Sequence, residues 1–180
     1  MIPGGSSACV QVFDATANKI NTWWFKTGWR ISLYDASIEY SAALASDLIL
    51  LHTAPDVNGR NVVKEYYALS NDRLRFIRME NDKGELVQNE YAFSNYEIGF
   101  SPDANNADQW ITLLESKDKA DVLSALVFLG GRHIDDEWFR DLTGNARISA
   151  LVARLADSDN EWIRQAAVLA ARGPRERFLQ

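Results

Sequence analysis

The strongest constraint on the fold is a helical pattern in the last eighty residues that repeats at an interval of 41 positions. The shift superposes four pairs of like residues: Leu114 and Leu155, Asp118 and Asp159, Ala125 and Ala166, and Val127 and Val168. Apolar residues in both copies recur at intervals of three and four, which is the spacing of one face of an α-helix. A period near forty that holds two helices is typical of a solenoid, in which each helix pair buries its apolar side against the next.

Five helices are predicted in this part of the chain, four from their apolar stripes and a short one over residues 135–142. The four stripes are Trp110, Leu113 and Leu114; Val122, Ala125, Leu126 and Leu129; Ile148, Leu151, Val152 and Leu155; and Trp162, Ala166 and Leu169. Gly130 and Gly131 are predicted to end the second helix, and Gly173 with Pro174 the last one. Glycine accepts the backbone angles that close a helix, and proline cannot continue one.

The segment from Leu155 to Ala167 contains an acidic turn, an apolar residue, an arginine and a pair of alanines, in that order. This order resembles the turn and second-helix start of a HEAT repeat, especially the short PBS-lyase type, and the resemblance extends over about residues 105–176. It implies a scaffold with a partner-binding surface and carries over no catalytic residue. The first copy departs from the pattern at Leu123 and Leu126, which replace the arginine and the second alanine. We therefore expect the first copy to be a capping repeat that packs on the preceding part of the chain.

The first half of the chain has the composition of a β-sheet. Residues 61–69, 73–80 and 85–93 are rich in aromatic and β-branched residues and are separated by short polar turns, so they predict a three-stranded meander. Residues 10–13, 22–25 and 29–33 predict further short strands, and residues 36–51 are assigned to strand with helix as the alternative. Apolar residues fall on both faces of the strand over 61–69, so the sheet is expected to be covered on both sides.

A polar passage over residues 94–106 separates the two patterns. The predicted fold is therefore α+β: an antiparallel β-sheet module over residues 1–100, followed by a short HEAT-like α-helical array over residues 101–180.

Charge and composition exclude several classes of partner. The net charge of −6 repels a nucleic-acid backbone, and no apolar run approaches the ~20 residues of a membrane span. The single Cys9 excludes an internal disulfide framework and favours a reducing compartment, so a soluble cytoplasmic protein is expected. The first five residues lack the features of a signal peptide, and export with the signal removed is the alternative. The sequence gives no signal for or against self-association.

The titratable residues form no recognisable catalytic motif. His133 lies beside Arg132 and three residues before Asp136, so a metal or acid–base site at this helix junction is conceivable. A loop followed by an acidic helix start explains the same residues without chemistry, and we prefer that interpretation. His52 is interpreted as a strand-end histidine. The glycine pairs form neither a dinucleotide fingerprint nor a phosphate-binding loop, so no cofactor is expected.

Three arginines near one another, Arg73, Arg75 and Arg78, lie close to aromatic residues that suit single-stranded nucleic acid. Cross-strand ion pairs with Glu65, Glu85 and Glu90 are the preferred interpretation.

Two tryptophans complete the candidate binding residues. Trp24 lies in a tryptophan-rich strand that either faces a ligand or belongs to the core, and Trp138 is a candidate interface anchor because charged residues flank it.

The sequence favours a non-enzymatic protein–protein interaction module that uses the helical array or its junction with the sheet. The alternatives are binding of a small molecule or carbohydrate by the tryptophan-rich strands, and an enzyme with a dispersed site near His133.

Overall fold

The fold begins with antiparallel β-structure. The computed structural model describes residues 7–13, 16–26, 32–54, 62–70, 73–87, 106–130, 142 and 144–172. Strands β1 (Ser7–Phe13) and β2 (Lys19–Lys26) form a two-stranded antiparallel sheet. Strands β3 (Ser32–Ser41), β4 (Ser46–Ala54), β5 (Val63–Ser70) and β6 (Arg73–Glu80) form a four-stranded antiparallel sheet in the order β3-β4-β5-β6.

Four described helices follow: α1 (Ala107–Leu114), α2 (Lys119–Leu129), α3 (Ala146–Leu155) and α4 (Glu161–Arg172). The fold class is therefore α+β, with the antiparallel sheet first and the helices after it, and this prediction is confirmed. The four helices cover the four predicted apolar stripes. Of the predicted helix over residues 135–142, only Leu142 lies within the described residues, and it is buried.

Each helix begins at a side chain that accepts hydrogen bonds from free backbone amides. Asn106 accepts from Gln109 N, Asp118 from Ala120 N, and Asn145 from Arg147 N and Ile148 N; Asn160 accepts from Ile163 N. These bonds satisfy donors that have no partner inside the helix. The first copy of the pattern uses Asp118 for this bond, whereas the second copy uses Asn160, the residue after Asp159.

The two copies of the helical pattern are neighbours in space. Helix α1 packs against α3 and α2 packs against α4, so the helices related by the 41-residue shift lie side by side. The same shift places all four buried residues of α4 on buried residues of α2: Ile163 on Val122, Ala166 on Ala125, Ala167 on Leu126, and Ala170 on Leu129. The small residues of α4 permit a close approach. A Cβ atom on Gly130, which ends α2, would lie 3.3 Å from the Ala170 backbone nitrogen.

The core lies between the four-stranded sheet and the helices. Helix α2 packs on β6, and Leu48, Leu50, Tyr66, Ala68 and Ile77 of the sheet share one buried cluster with residues of all four helices. The expectation that the first copy packs on the sheet agrees with this contact. The opposite face of β5 is buried as well, because Tyr67 and Glu65 are both inaccessible. The prediction of a sheet covered on both sides therefore holds for β5 at Glu65 and Tyr67, whereas Leu69 on the same face is 43% exposed.

The predicted strands differ from the observed ones in three places. Of the predicted strand over residues 29–33, only residues 32 and 33 are described, and they begin β3. Residues 36–51, assigned to strand, are indeed β-structure, but a turn at residues 42–45 divides them between β3 and β4. Ala45 takes the left-handed backbone angle of this turn, with φ of 54°, and neither glycine nor asparagine marks the position in the sequence. The third predicted meander strand, residues 85–93, is described only to Val87, where Leu86 forms an isolated bridge with Glu80.

We predict that Ala45→Gly stabilises the protein. A left-handed alanine costs about 1–2 kcal/mol, while glycine loses about 0.5–1 kcal/mol of extra chain entropy, so a net gain of about 0.5–1 kcal/mol in the free energy of unfolding is expected. Ala42→Gly is the matched control, because Ala42 is equally exposed in the same turn but lies outside the left-handed region. Urea unfolding should show opposite signs for the two variants, and equal effects would refute this account of the turn.

Candidate functional site

The turn between β3 and β4 is fixed onto the helices. The carbonyl oxygen of Ala43 accepts two hydrogen bonds, from Lys119 Nζ at 3.2 Å and from Asn160 Nδ2 at 2.6 Å. Lys119 is the first residue of α2 and Asn160 immediately precedes α4, so one carbonyl joins the sheet to the starts of two equivalent helices. Leu44 packs against the core beside them. We call this region, formed by β3, the β3–β4 turn and the starts of α2 and α4, the junction.

A second link between the sheet and the helices is centred on Arg78. Arg78 is 6% exposed, and its guanidinium forms an ion pair with Glu80 and donates from Nη1 to Gln165 Oε1 at 2.9 Å. The same guanidinium lies 4.8 Å from the centroid of the Trp162 ring, where the attraction of a cation to an aromatic face adds to the contact. Gln165 and Trp162 belong to α4, so Arg78 ties β6 to α4.

Arg75 forms the corresponding link to α2. Its Nη2 atom lies 2.9 Å from Asp121 Oδ1, and Asp121 Oδ2 also accepts a hydrogen bond from Ser116 Oγ. The sequence correctly favoured ion pairing for these arginines. The described partners are Glu80 on the same strand and Asp121 on a helix, and not the Glu65, Glu85 and Glu90 that the sequence suggested. Glu90 itself lies outside the described residues.

The burial of Arg75 and Arg78 bears on the nucleic-acid hypothesis. Both arginines are buried and paired with carboxylates, so their guanidiniums are not exposed for contact with a phosphate backbone. Their role in the described structure is to hold the sheet against the helices.

Two tyrosines on β5 have strongly perturbed acidities. Burial raises the pKa of Tyr66, and the hydrogen bond that its hydroxyl donates to Glu80 Oε2 at 2.8 Å raises it further. Burial also raises the pKa of Tyr67, and the charge of Glu65, which accepts the Tyr67 hydroxyl, adds to the effect. Both groups stay neutral because the tyrosinate form would be desolvated beside a carboxylate.

These shifts give a pH dependence with a definite sign. In the folded protein the pKa values of both tyrosines lie above the ordinary 10.0, so folding favours the neutral form of each side chain. The resulting stabilisation of the folded state is complete below about pH 10. It is lost as the pH rises through the pKa values of the folded protein. We predict that stability falls steeply above about pH 10, and less steeply in Tyr66→Phe and Tyr67→Phe. Each variant should be less stable at neutral pH, Tyr67→Phe by about 1–3 kcal/mol because the buried Glu65 loses a donor, and Tyr66→Phe by less because the half-buried Glu80 keeps its pair with Arg78.

Urea unfolding across this pH range tests the prediction, together with the tyrosinate absorbance of the folded protein. Tyr40→Phe is the control, since the Tyr40 side chain is 68% exposed and its hydroxyl is not in the core. It should leave the stability at neutral pH within about 0.5 kcal/mol of the parent protein. The same loss of stability in all three variants would contradict the assignment.

Strand β3 presents an exposed apolar surface at the junction. Residues 36–40 are all exposed, with Ile38 at 74% and Tyr40 at 68%. Ile38 pairs with Ile49, which in turn pairs with Tyr67, so Ile38 and Tyr40 lie on the face opposite the helices. Ser37 and Glu39 lie on the helix face and are exposed too. The helices therefore leave this part of β3 uncovered.

The residues that the sequence proposed for binding are placed only in part. Trp24 lies on β2 opposite Cys9, while Arg132, His133, Asp136 and Trp138 lie outside the described residues. Their assignment therefore stays a prediction, as does the pairing of His133 with Asp136. His52 lies within β4, two residues before that strand ends, in agreement with its interpretation as a strand-end histidine.

The described part of the chain contains no group of three histidine, cysteine or acidic side chains that suits a metal ion. None of its helices has the length and hydropathy that a bilayer crossing requires.

Sequence reasoning missed Ile38 and Tyr40 as surface residues. Their alternation correctly indicated a strand, but the turn at residues 42–45 has no glycine or asparagine, so nothing in the sequence showed that the strand lies at the end of a sheet.

The chain was compared with protein-family models, with curated proteins and with solved structures, and no match was found in any of the three. The junction and its exposed strand are therefore the observations that bear on function.

Proposed function

We propose that this protein is a non-enzymatic protein–protein interaction module whose contact surface is the junction between the sheet and the helices. The observation that carries the proposal is the exposure of Ile38 and Tyr40 on a strand that is fixed in place. An aliphatic and an aromatic side chain two residues apart on one face form a small apolar patch of the kind that anchors an interface.

The anchoring of the neighbouring turn supports this role. Lys119 and Asn160 hold the carbonyl of Ala43, and Leu44 packs into the core, so the patch begins three residues away from a fixed point. A contact surface that is rigid before binding loses little conformational entropy when a partner binds. The patch can therefore bind a partner through a contact area of modest size.

The helices fit the same proposal as a HEAT-like array of two helix pairs. The support is the 41-residue shift, which relates α1 to α3 and α2 to α4, together with the packing of the equivalent helices against each other. Arrays of this kind offer a continuous surface on one side, and the junction lies where the starts of α2 and α4 meet the sheet. The patch on β3 lies on the other face of the sheet, beside the turn that the starts of α2 and α4 hold in place.

The proposal is tested by placing a photo-reactive amino acid at Ile38, at Tyr40 or at Val62 in the full chain and irradiating it in an extract of its source. Val62 is an exposed apolar residue at the far end of the sheet and serves as the control. We expect crosslinks to a protein, either a different one or a second copy, from the first two positions and not from the third. Crosslinking that is absent, or equal at all three positions, would end the proposal.

Affinity for the crosslinked protein, once identified and purified, gives the quantitative test. The double variant Ile38→Asp, Tyr40→Asp should weaken binding at least about tenfold, because it puts two charges where apolar contacts form. Val62→Asp should leave the affinity unchanged. Circular dichroism confirms that each variant keeps its fold, which is expected because all three side chains are exposed.

A further inference from the structure

We propose that Tyr40 and Asp47 together bind a basic side chain, arginine or lysine, of a different protein at the exposed face of the four-stranded sheet. The inference rests on the proposed function and names the chemistry of the partner. Tyr40 and Asp47 are paired across β3 and β4, and both are exposed. Directly opposed side chains in antiparallel strands lie about 4.5–5.5 Å apart at Cβ, so an aromatic ring and a carboxylate lie side by side.

Two exposed apolar side chains border this pair. The register of β4 and β5 places Leu69 beside Asp47 on the side away from Tyr40, and Leu69 is 43% exposed. Ile38 lies two residues from Tyr40 on the same face of β3. Given the spacing of strands and of residues along them, the four side chains occupy an area about 10 Å across the strands and about 7 Å along them. We call this group the cation site.

The charge of the cation site is unbalanced within the chain. The described residues of the four-stranded sheet place two carboxylates on the face opposite the helices, those of Glu65 and Asp47, and no lysine or arginine. Glu65 is buried and accepts the hydroxyl of Tyr67, whereas Asp47 is exposed and has no ion-pair partner among the described residues. A single exposed carboxylate on an apolar surface is complementary to a cation and repels an acidic partner.

The combination of a ring, a carboxylate and aliphatic neighbours suits arginine and lysine in particular. Their charged group can pair with Asp47 and lie over the face of the Tyr40 ring, within about 6 Å of its centroid. Their long aliphatic stem can pack on Ile38. The same chain holds one of its own arginines in this way, because Arg78 pairs with Glu80 while its guanidinium lies 4.8 Å from the centroid of an aromatic ring.

Net charge favours a different protein over a second copy as the partner. Each chain carries a net charge of −6, so two copies repel at long range, whereas a basic protein is attracted. The affinity should therefore fall between about 20 and 300 mM salt. At the upper end of this range the long-range attraction is screened, and the contact with the cation site itself determines the remaining affinity.

A matched pair of peptides tests the cation site directly. The probes are acetylated and amidated Leu-Arg-Leu and the same peptide with citrulline, which has the shape of arginine without its charge. Nuclear magnetic resonance titration of the isotope-labelled full chain should show shifts at Ile38, Tyr40, Asp47 and Leu69. The dissociation constant should be at least about threefold lower for the arginine peptide, and Asp47→Asn should remove that difference. Equal binding of the two peptides to the parent chain would overturn the inference.

The protein crosslinked from Ile38, once purified, gives the second test at about 300 mM salt. Asp47→Lys should weaken its binding at least about tenfold, because the variant sets a cation against a cation. Asp82→Lys is the matched control, since it changes the net charge equally and lies exposed in the turn after β6, at the other end of the sheet. It should change the affinity less than about twofold. Equal losses in the two variants would contradict the inference.

The role of the Tyr40 ring is tested by comparing two substitutions. Tyr40→Leu keeps an apolar side chain and removes the ring, whereas Tyr40→Phe keeps the ring. The leucine variant should bind the crosslinked protein about two- to fivefold more weakly than the phenylalanine variant, because an exposed cation–ring contact contributes that factor. Equal affinities of the two variants would remove Tyr40 from the cation site and overturn the inference.

These measurements separate the cation site from the interaction module. Binding that is weakened by the double variant Ile38→Asp, Tyr40→Asp and unaffected by Asp47→Lys would refute the cation site and leave the module standing. Crosslinks from Ile38 to a second copy alone would do the same. The absence of crosslinks from Ile38 and Tyr40 would refute both.

Discussion

Helix α2 is buried on every side, and the rest of the described structure is arranged around that constraint. Every residue from Val122 to Leu129 is inaccessible, although a helix at a protein surface normally buries only one stripe. The sheet covers α2 on one side through β6, and α4 covers it on another. Neither the sheet nor α4 alone buries the whole apolar surface of α2. The packing of the sheet and that of the second helix pair therefore depend on each other through α2.

The polar contacts between sheet and helices give this apolar packing a definite geometry. The free energy gained by burying apolar surface does not depend on direction. Burial therefore holds the sheet and the helix layer together without fixing how one is rotated on the other. The pair of Arg75 with Asp121 and the contacts of Arg78 with Gln165 and Trp162 each require one register between β6 and a helix. Breaking a buried ion pair by removing one partner costs about 3–5 kcal/mol, which penalises a misplaced helix layer.

The sequence predicted the helical half of the fold closely because its signals are local and repeated. The stripes on α3 and α4 and the asparagine or aspartate before each helix are patterns within one turn or two. The sheet was predicted in type, and the hairpin of β5 and β6 in position, but the hairpin of β3 and β4 was missed, since the turn at residues 42–45 contains a left-handed alanine that no sequence signal marks. The partners of Arg75 and Arg78 were missed for a related reason. Asp121 and Gln165 are distant in sequence, and only the packing of α2 and α4 on β6 brings them close.

Strand β3 combines features that protect a sheet edge with an exposed apolar face. Proteins limit unwanted strand pairing at an edge with lysine, proline, inward-pointing charges or bulges. Segment 36–40 has no lysine or proline, but Glu39 places a charge on the helix face, and the pairing with β4 is irregular between Leu33 and Asp35. The opposite face exposes two large apolar side chains, Ile38 and Tyr40. Both protective features act on main-chain pairing at the edge and neither covers that face, so the apolar pair bears on contacts made by the face of the sheet.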